Sequence, residues 1–166
     1  MNQILVNYNN LYYYYNIELL NLKILEEEKE QIRVKYFKIT TSYNNMPSSS
    51  NDYDNKYENF MIEMEEKDIL NKIQKQKNIV NRLNYYIKKM DYCLSKLDGI
   101  EYRLFYKVIN GINISKAIEE IVEENTANND KIQDATIIWK KYYPNIKEEI
   151  KQFNNIKKGV KYLYGK

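Results

Sequence analysis

From about Tyr57 to Leu97 the apolar positions recur at heptad spacing: Ile62, Ile69, Ile73, Val80, Leu83, Ile87, Met90, Leu94 and Leu97. From Ile69 onward the steps are 4, 7, 3, 4, 3, 4 and 3, with Gln76 inside the long step and Glu66 inside the gap before Ile69. A stripe of this period predicts one α-helix, about 60 Å long at about 1.5 Å per residue. A rod of that length buries its stripe against a partner helix, along a seam of Ile73, Val80, Leu83, Ile87, Met90, Leu94 and Leu97. The polar Gln76 and Glu66 are where the register is set or where the partner ends.

A shorter stripe precedes it. From about Asn10 to Phe37, Leu11, Tyr15, Leu19, Leu22, Leu25, Ile32 and Tyr36 fall mostly three, four or seven apart, and Ile17, Leu20 and Ile24 widen the apolar face. Residues 40–55 hold Pro47, four serines and a cluster of asparagines without any apolar period, the composition of a connector. Helix, connector and longer helix predict an antiparallel hairpin over residues 1–97. Two striped helices bury little by themselves, so a further layer is expected, from a second chain or from the C-terminal helices, and the expected assembly is a homo-oligomer through the hairpin.

Beyond Leu97 the period resets. Asp98 and Glu101 stand at capping-box spacing and open a short helix carrying Ile100, Leu104, Phe105 and Val108, which Gly111 closes. Asn113 suits the cap of a helix from about Ile114 to Glu124. After a polar turn, Asn125 to Asn129, comes a helix from about Asp130 to Tyr143, with Ile132, Ala135 and Trp139 inward and Pro144 as its stop. A last helix covers about Ile146 to Phe153 and is extendable toward Tyr164. The fold expected is therefore all-α: a long antiparallel helical hairpin (1–97), a helix-turn-helix-like three- or four-helix bundle (98–153) and a basic C-terminal tail (154–166).

Composition narrows the chemistry. The chain has 166 residues, four glycines, two prolines and no histidine. The missing histidine excludes His-based metal sites and His-dependent triads, and no phosphate-cradling glycine pattern occurs, so neither catalysis nor a metal or other cofactor is expected. No apolar run reaches the roughly 18 residues that a membrane span needs. A lone Cys93 and the lack of a signal peptide pattern fit the cytoplasm. The 18 tyrosines, with abundant Asn, Lys and Ile, are most simply the mark of a genome poor in G and C.

Three short helices with a Gly-containing turn between the first two have the order of a helix-turn-helix module. The helix from Asp130 to Tyr143 would be the recognition helix. Its outward Gln133 could read a base edge, while Lys131, Lys140 and Lys141 could meet phosphates, joined by Lys157 and Lys158 of the tail. Charge divides unevenly. Residues 98–143 hold six basic against eight acidic side chains, whereas 144–166 holds six lysines against two glutamates. Attraction to a polyanion is thus expected from the C-terminal segment.

The break YNNMPSSSNDYD, the stretch SKLDGIEYRLFYKVINGINISKAIEEI and the aromatic IIWKKYYPNI give the chain, from about Leu11 to Ile146, a layout that resembles small phage late-gene regulators of the ArpU and RinA type. That resemblance implies a C-terminal helix-turn-helix similar to region 4 of sigma factors, a DNA partner, and RNA polymerase or another host protein as a further partner. The sequence departs from the family in its long turn, Asn125 to Asn129, and in opening the recognition helix with Asp130. The expected function is DNA binding in phage transcription. The alternative is a helical interaction or structural protein that acts on a host protein and never touches DNA.

Overall fold

A computed structural model describes residues 6–37 and 50–164, the side chains of 50–54 aside. These residues are all-α, with no strand among them. The helices are α1 (Tyr8–Phe37), α2 (Ser50–Glu66), α3 (Ile69–Ser95), α4 (Gly99–Ile109), α5 (Ile114–Ala127), α6 (Ala135–Ile137) and α7 (Tyr143–Tyr164), with a π-helical turn, Ile138–Tyr142, joining the last two. Contacts divide the chain into a middle unit, Asn16–Asn81, and a terminal unit made of the residues up to Tyr15 together with those from Arg82 onward. The division passes through α1 and α3, not through the reset at Leu97.

In the middle unit the predicted single rod is broken. Lys67 and Asp68 form a turn in which Asp68 is left-handed at φ 50, a conformation that Asp tolerates better than most side chains. Asp68 N–H bonds Glu65 O at 2.9 Å, and its carboxylate accepts from Asn71 Nδ2 at 2.6 Å. The break rotates α2 relative to the stripe, so Ile62 is exposed and Met64 is buried instead. Of the expected connector, residues 50–55 belong to α2, and 40–49 lie outside the described residues.

Pairings between α1 and α2–α3 run in antiparallel order. Phe37 meets Phe60 with ring centroids 5.3 Å apart, Lys35 and Tyr36 reach Glu63, and Gln76 donates to Glu18 O at 2.9 Å and to Glu18 Oε2 at 2.6 Å. The polar Gln76 on the seam is therefore satisfied by α1. Among the described residues of this unit the buried apolar side chains are Leu22, Ile32, Met64, Ile69, Ile73 and Val80.

Glu63 accepts from Lys35 Nζ at 2.6 Å and Tyr36 Oη at 2.8 Å and pairs with Lys67 at 3.0 Å. Lys35 first, then Tyr36 and Lys67, hold its carboxyl down at about 2. A carboxyl depressed in the fold stabilises above its unfolded pKa, and that contribution is lost as pH falls toward the folded one. The melting temperature of the wild type should therefore drop between about pH 4.5 and 2 more than that of Glu63→Gln. Equal pH dependence of the two, followed by circular dichroism, would refute this role.

The terminal unit holds the larger core. Along α3 the seam residues Leu83, Ile87, Met90 and Leu94 are buried as the stripe predicts, joined by Cys93. Leu97 lies past the end of α3 and is only half-buried. Tyr8 and Tyr12 of α1 donate to the Asp91 carboxylate at 2.5 and 2.9 Å, and burial, with that carboxylate, pushes the Tyr8 phenol well up. Helix α4 sits at the centre, packed against α5, the π turn and α7, with Leu104, Phe105 and Ile109 fully buried.

Its start differs from the capping box expected. Gly99 is left-handed at φ 47, Asp98 makes no side-chain cap bond, and Glu101 accepts instead from Asn145 Nδ2 of α7 at 2.6 Å. Its end follows the pattern: Gly111, at φ 98, lets Ile112 N–H return to Lys107 O at 3.1 Å. Asn113 caps α5 by accepting from Ser115 N–H at 2.9 Å.

Candidate nucleic-acid interface

The recognition helix drawn from Asp130 to Tyr143 is not the one that forms. Helix α5 continues to Ala127 and takes in Asn125, whose side chain is 1% exposed. Asn125 Oδ1 accepts from Arg103 Nη1 at 2.8 Å, Asn125 Nδ2 donates to Ile132 O at 2.6 Å, and its carbonyl accepts from Asp130 N–H at 2.8 Å. This buried amide shapes the following segment into an extended loop through 133, entered by a left-handed Asn129. Lys131 and Gln133 are exposed on that loop, not on a helix.

Helix starts again at Asp134, which caps Thr136 N–H at 2.8 Å. This later start changes the register. Ile138 is fully buried, whereas Trp139, expected inward, is 37% exposed and packs edge-on against Tyr143 with centroids 5.0 Å apart. The chain does not stop at Pro144. Proline in a helix lacks an N–H and crowds the carbonyl four residues back. Here the π turn widens the backbone just before it, with Tyr143 N–H bonding Ile138 O five residues away, and the helix runs on. Lys140 and Lys141 are exposed on the π turn.

The segment 154–164, assigned above to a tail, is the second half of α7. The buried face of α7 is Ile146, Phe153, Ile156 and Val160. Away from it lie Lys147, Lys151, Asn154, Lys158 and Lys161, at steps of 4, 3, 4 and 3, all exposed. At about 1.5 Å per residue this stripe is about 21 Å long. Glu148 at its edge pairs with Lys151 at 3.5 Å, both of them well exposed, a pair of little energetic weight. Among the described residues Lys147, Lys158 and Lys161 have no ion-pair partner.

Lys157 belongs to the other side: it is half-buried, its ammonium 4.8 Å from the Phe153 ring centre, and burial, with Lys161, pushes its pKa down. Lys158 thus joins the exposed stripe and Lys157 does not. Lys140 and Lys141 precede Lys157 by about 24 Å of helix, so the six residues singled out from sequence do not form one cluster. Lys147, Lys151 and Lys161, missed as site residues, carry a heptad-like spacing that is readable once the last helix is carried past Phe153.

The rest of the terminal unit offers less. Arg103 pairs with Glu124, and Lys107 bridges Glu120 and Glu124 at 2.7 and 3.0 Å. These two cations of α4 are therefore engaged within the fold, and Glu119 and Glu123 remain exposed on α5. Among the described residues no cluster of acidic or Cys side chains could hold a metal ion, and no helix is long and apolar enough to cross a membrane. No protein-family model, no curated protein and no solved structure matches this chain.

Proposed function

We propose that this chain is a DNA-binding protein whose phosphate contacts come from the outward face of α7. One observation carries the reading: Lys147, Lys151, Lys158 and Lys161 line up on an exposed face that Asn154 interrupts with a neutral hydrogen-bonding side chain. About 21 Å of duplex axis presents about a dozen phosphate charges, so a straight row of four lysines suits a polyanion. Lys140 and Lys141 extend the positive charge to the head of α7, and Lys131 to the loop before it. Gln133 on the same loop is the candidate for a base edge, because its amide can donate and accept at once. A role in phage gene regulation, in the cytoplasm and with RNA polymerase or another host protein as a partner, follows from the resemblance of layout to the ArpU and RinA regulators.

Binding of a fluorescent 30-base-pair duplex, read by anisotropy across a salt series, tests this. Four neutralised phosphates correspond to a log–log salt slope of about −3 to −4, or roughly a hundredfold loss between 50 and 200 mM salt. Reversal of the four α7 lysines to glutamate should abolish binding, and Lys140→Glu with Lys141→Glu should weaken it without changing helicity. Binding that ignores salt, or that survives the fourfold reversal, would rule the interface out.

The second reading is an interaction protein that does not touch DNA. Exposed Leu20, Ile24 and Val34 on α1 favour it, as do the eight acidic against six basic side chains of 98–143. Absence of any duplex affinity at low salt would decide for it.

A further inference from the structure

The seam that the sequence offers for pairing is consumed within the chain: Ile73, Val80, Leu83, Ile87 and Met90 are all buried. A second heptad remains on the opposite side of α1. Ile17, Leu20, Ile24, Glu27, Gln31 and Val34 succeed one another at steps of 3, 4, 3, 4 and 3. Leu20, Ile24 and Val34 are 58%, 53% and 44% exposed, large fractions for aliphatic side chains on one helical face. Glu27, Gln31 and Val34, with Glu30 and Lys35 beside them, also line a shallow depression able to receive a side chain from outside. We infer that this face of α1 binds the same face of a second copy of the chain, as a parallel pair of helices.

Charge identifies the occupant and its direction. In heptad terms Ile17, Ile24 and Gln31 take the a positions, and Leu20, Glu27 and Val34 take d. Ile at a with Leu at d favours two parallel strands, and a single polar a residue such as Gln31 fixes their register. The flanking g positions are then Asn16, Lys23 and Glu30, and the e positions are Asn21, Glu28 and Lys35. In a parallel pair each g residue faces the e residue five further on, so Lys23 meets the partner's Glu28 and Glu30 meets the partner's Lys35. Both are opposite in sign, and each occurs twice by symmetry.

An antiparallel pair that overlaps the whole stripe sets Ile24 against the partner's Glu27 and Leu20 against the partner's Gln31, whereas the parallel pair stacks Ile24 on Ile24 and Leu20 on Leu20. The shifted antiparallel register that sets Ile24 against the partner's Leu20 brings Lys23 against the partner's Lys23. Lys35 already bonds Glu63 at 2.6 Å and Glu30 pairs with Arg33 at 3.1 Å, so the Lys23 contact is the decisive one. Among the described residues Lys23 has no ion-pair partner, and Glu28 has only Lys67 at 4.0 Å. Glu27 at a d position sets the two copies' carboxylates together, which makes the dimer weak and adjustable. This dimer stands whether or not the chain binds DNA.

Sedimentation equilibrium of the full chain tests the inference. The wild type should be dimeric at about 100 μM, and Glu27→Leu should tighten association about tenfold or more. Leu20→Glu with Ile24→Glu should give a monomer, with helicity and melting temperature kept, because both side chains are exposed in the single chain. Lys23→Glu should weaken the dimer about three- to tenfold, and adding Glu28→Lys should restore it. Mild oxidation of Ile24→Cys should cross-link two chains, since a parallel pair sets this a position opposite itself within disulfide reach. A monomeric wild type at that concentration, or failure of Glu28→Lys to rescue Lys23→Glu, overturns the proposal.

Discussion

Phe105→Ala should lower the unfolding free energy by about 3–5 kcal/mol, the cost of removing a fully buried ring from a close-packed interior. Phe105 is 0% exposed on α4, the helix that packs against α5, the π turn and α7 at once. A void there has walls from several elements, and none can close it without pulling another away. For a chain of this size the loss corresponds to about 6–20 °C in melting temperature. Ile62→Ala is the matched control: Ile62 belongs to the sequence stripe but is 46% exposed, so its loss should stay within about 0.5 kcal/mol. Urea unfolding followed at 222 nm measures both. A cost below about 1 kcal/mol for Phe105→Ala would show that α4 is not the centre of this unit.

The contrast between these two residues marks what a linear pattern can carry. Heptad spacing encodes a helical face without reference to what covers it, so Ile73, Val80, Leu83, Ile87, Met90 and Leu94 were legible as a buried line. The covering was not legible. Ile62 fell on the same line, yet the left-handed Asp68 turned α2 and substituted Met64. Neither glycine nor proline announces that break; it depends on a local carboxylate contact with Asn71.

Pro144 failed in the opposite sense. It is a strong stop in isolation, but one wide turn absorbs the clash, and α7 is then as long as its buried Ile146, Phe153, Ile156 and Val160 require. The lysine row of the candidate interface depends instead on the other end of α7: Lys147 and Lys161 share a face only because the helix runs on past Phe153. Trp139 shows the smallest version of the same effect. Starting the helix four residues later, at the Asp134 cap, is enough to exchange it for Ile138 in the core.

Asn125 concentrates the part of the interface that composition alone made look like a turn. Asn125→Ala should cost about 1–3 kcal/mol, because it leaves the Ile132 carbonyl without its donor and takes one acceptor from Arg103 where the amide itself is buried. The Asp130 N–H bond to the Asn125 carbonyl is a backbone contact and survives, so the loop loosens at Ile132 first, between Lys131 and Gln133. Asn125→Asp sharpens the assignment. It keeps an acceptor for Arg103 and nearly the same shape, but turns the donor aimed at Ile132 O into a second oxygen. Its loss should therefore be substantial despite the added charge attraction to Arg103. A cycle of Asn125→Ala with Arg103→Met should show coupling above about 0.5 kcal/mol, and additive losses would mean that the two side chains act separately. The two halves of the proposed interface should also respond differently. On the proposed DNA-binding reading, Asn125→Ala should lower any preference among duplex sequences, because the Gln133 loop is no longer held, while the salt-dependent affinity assigned to α7 should remain within about twofold. Loss of both together would place the lysine row and the loop under one structural control rather than two.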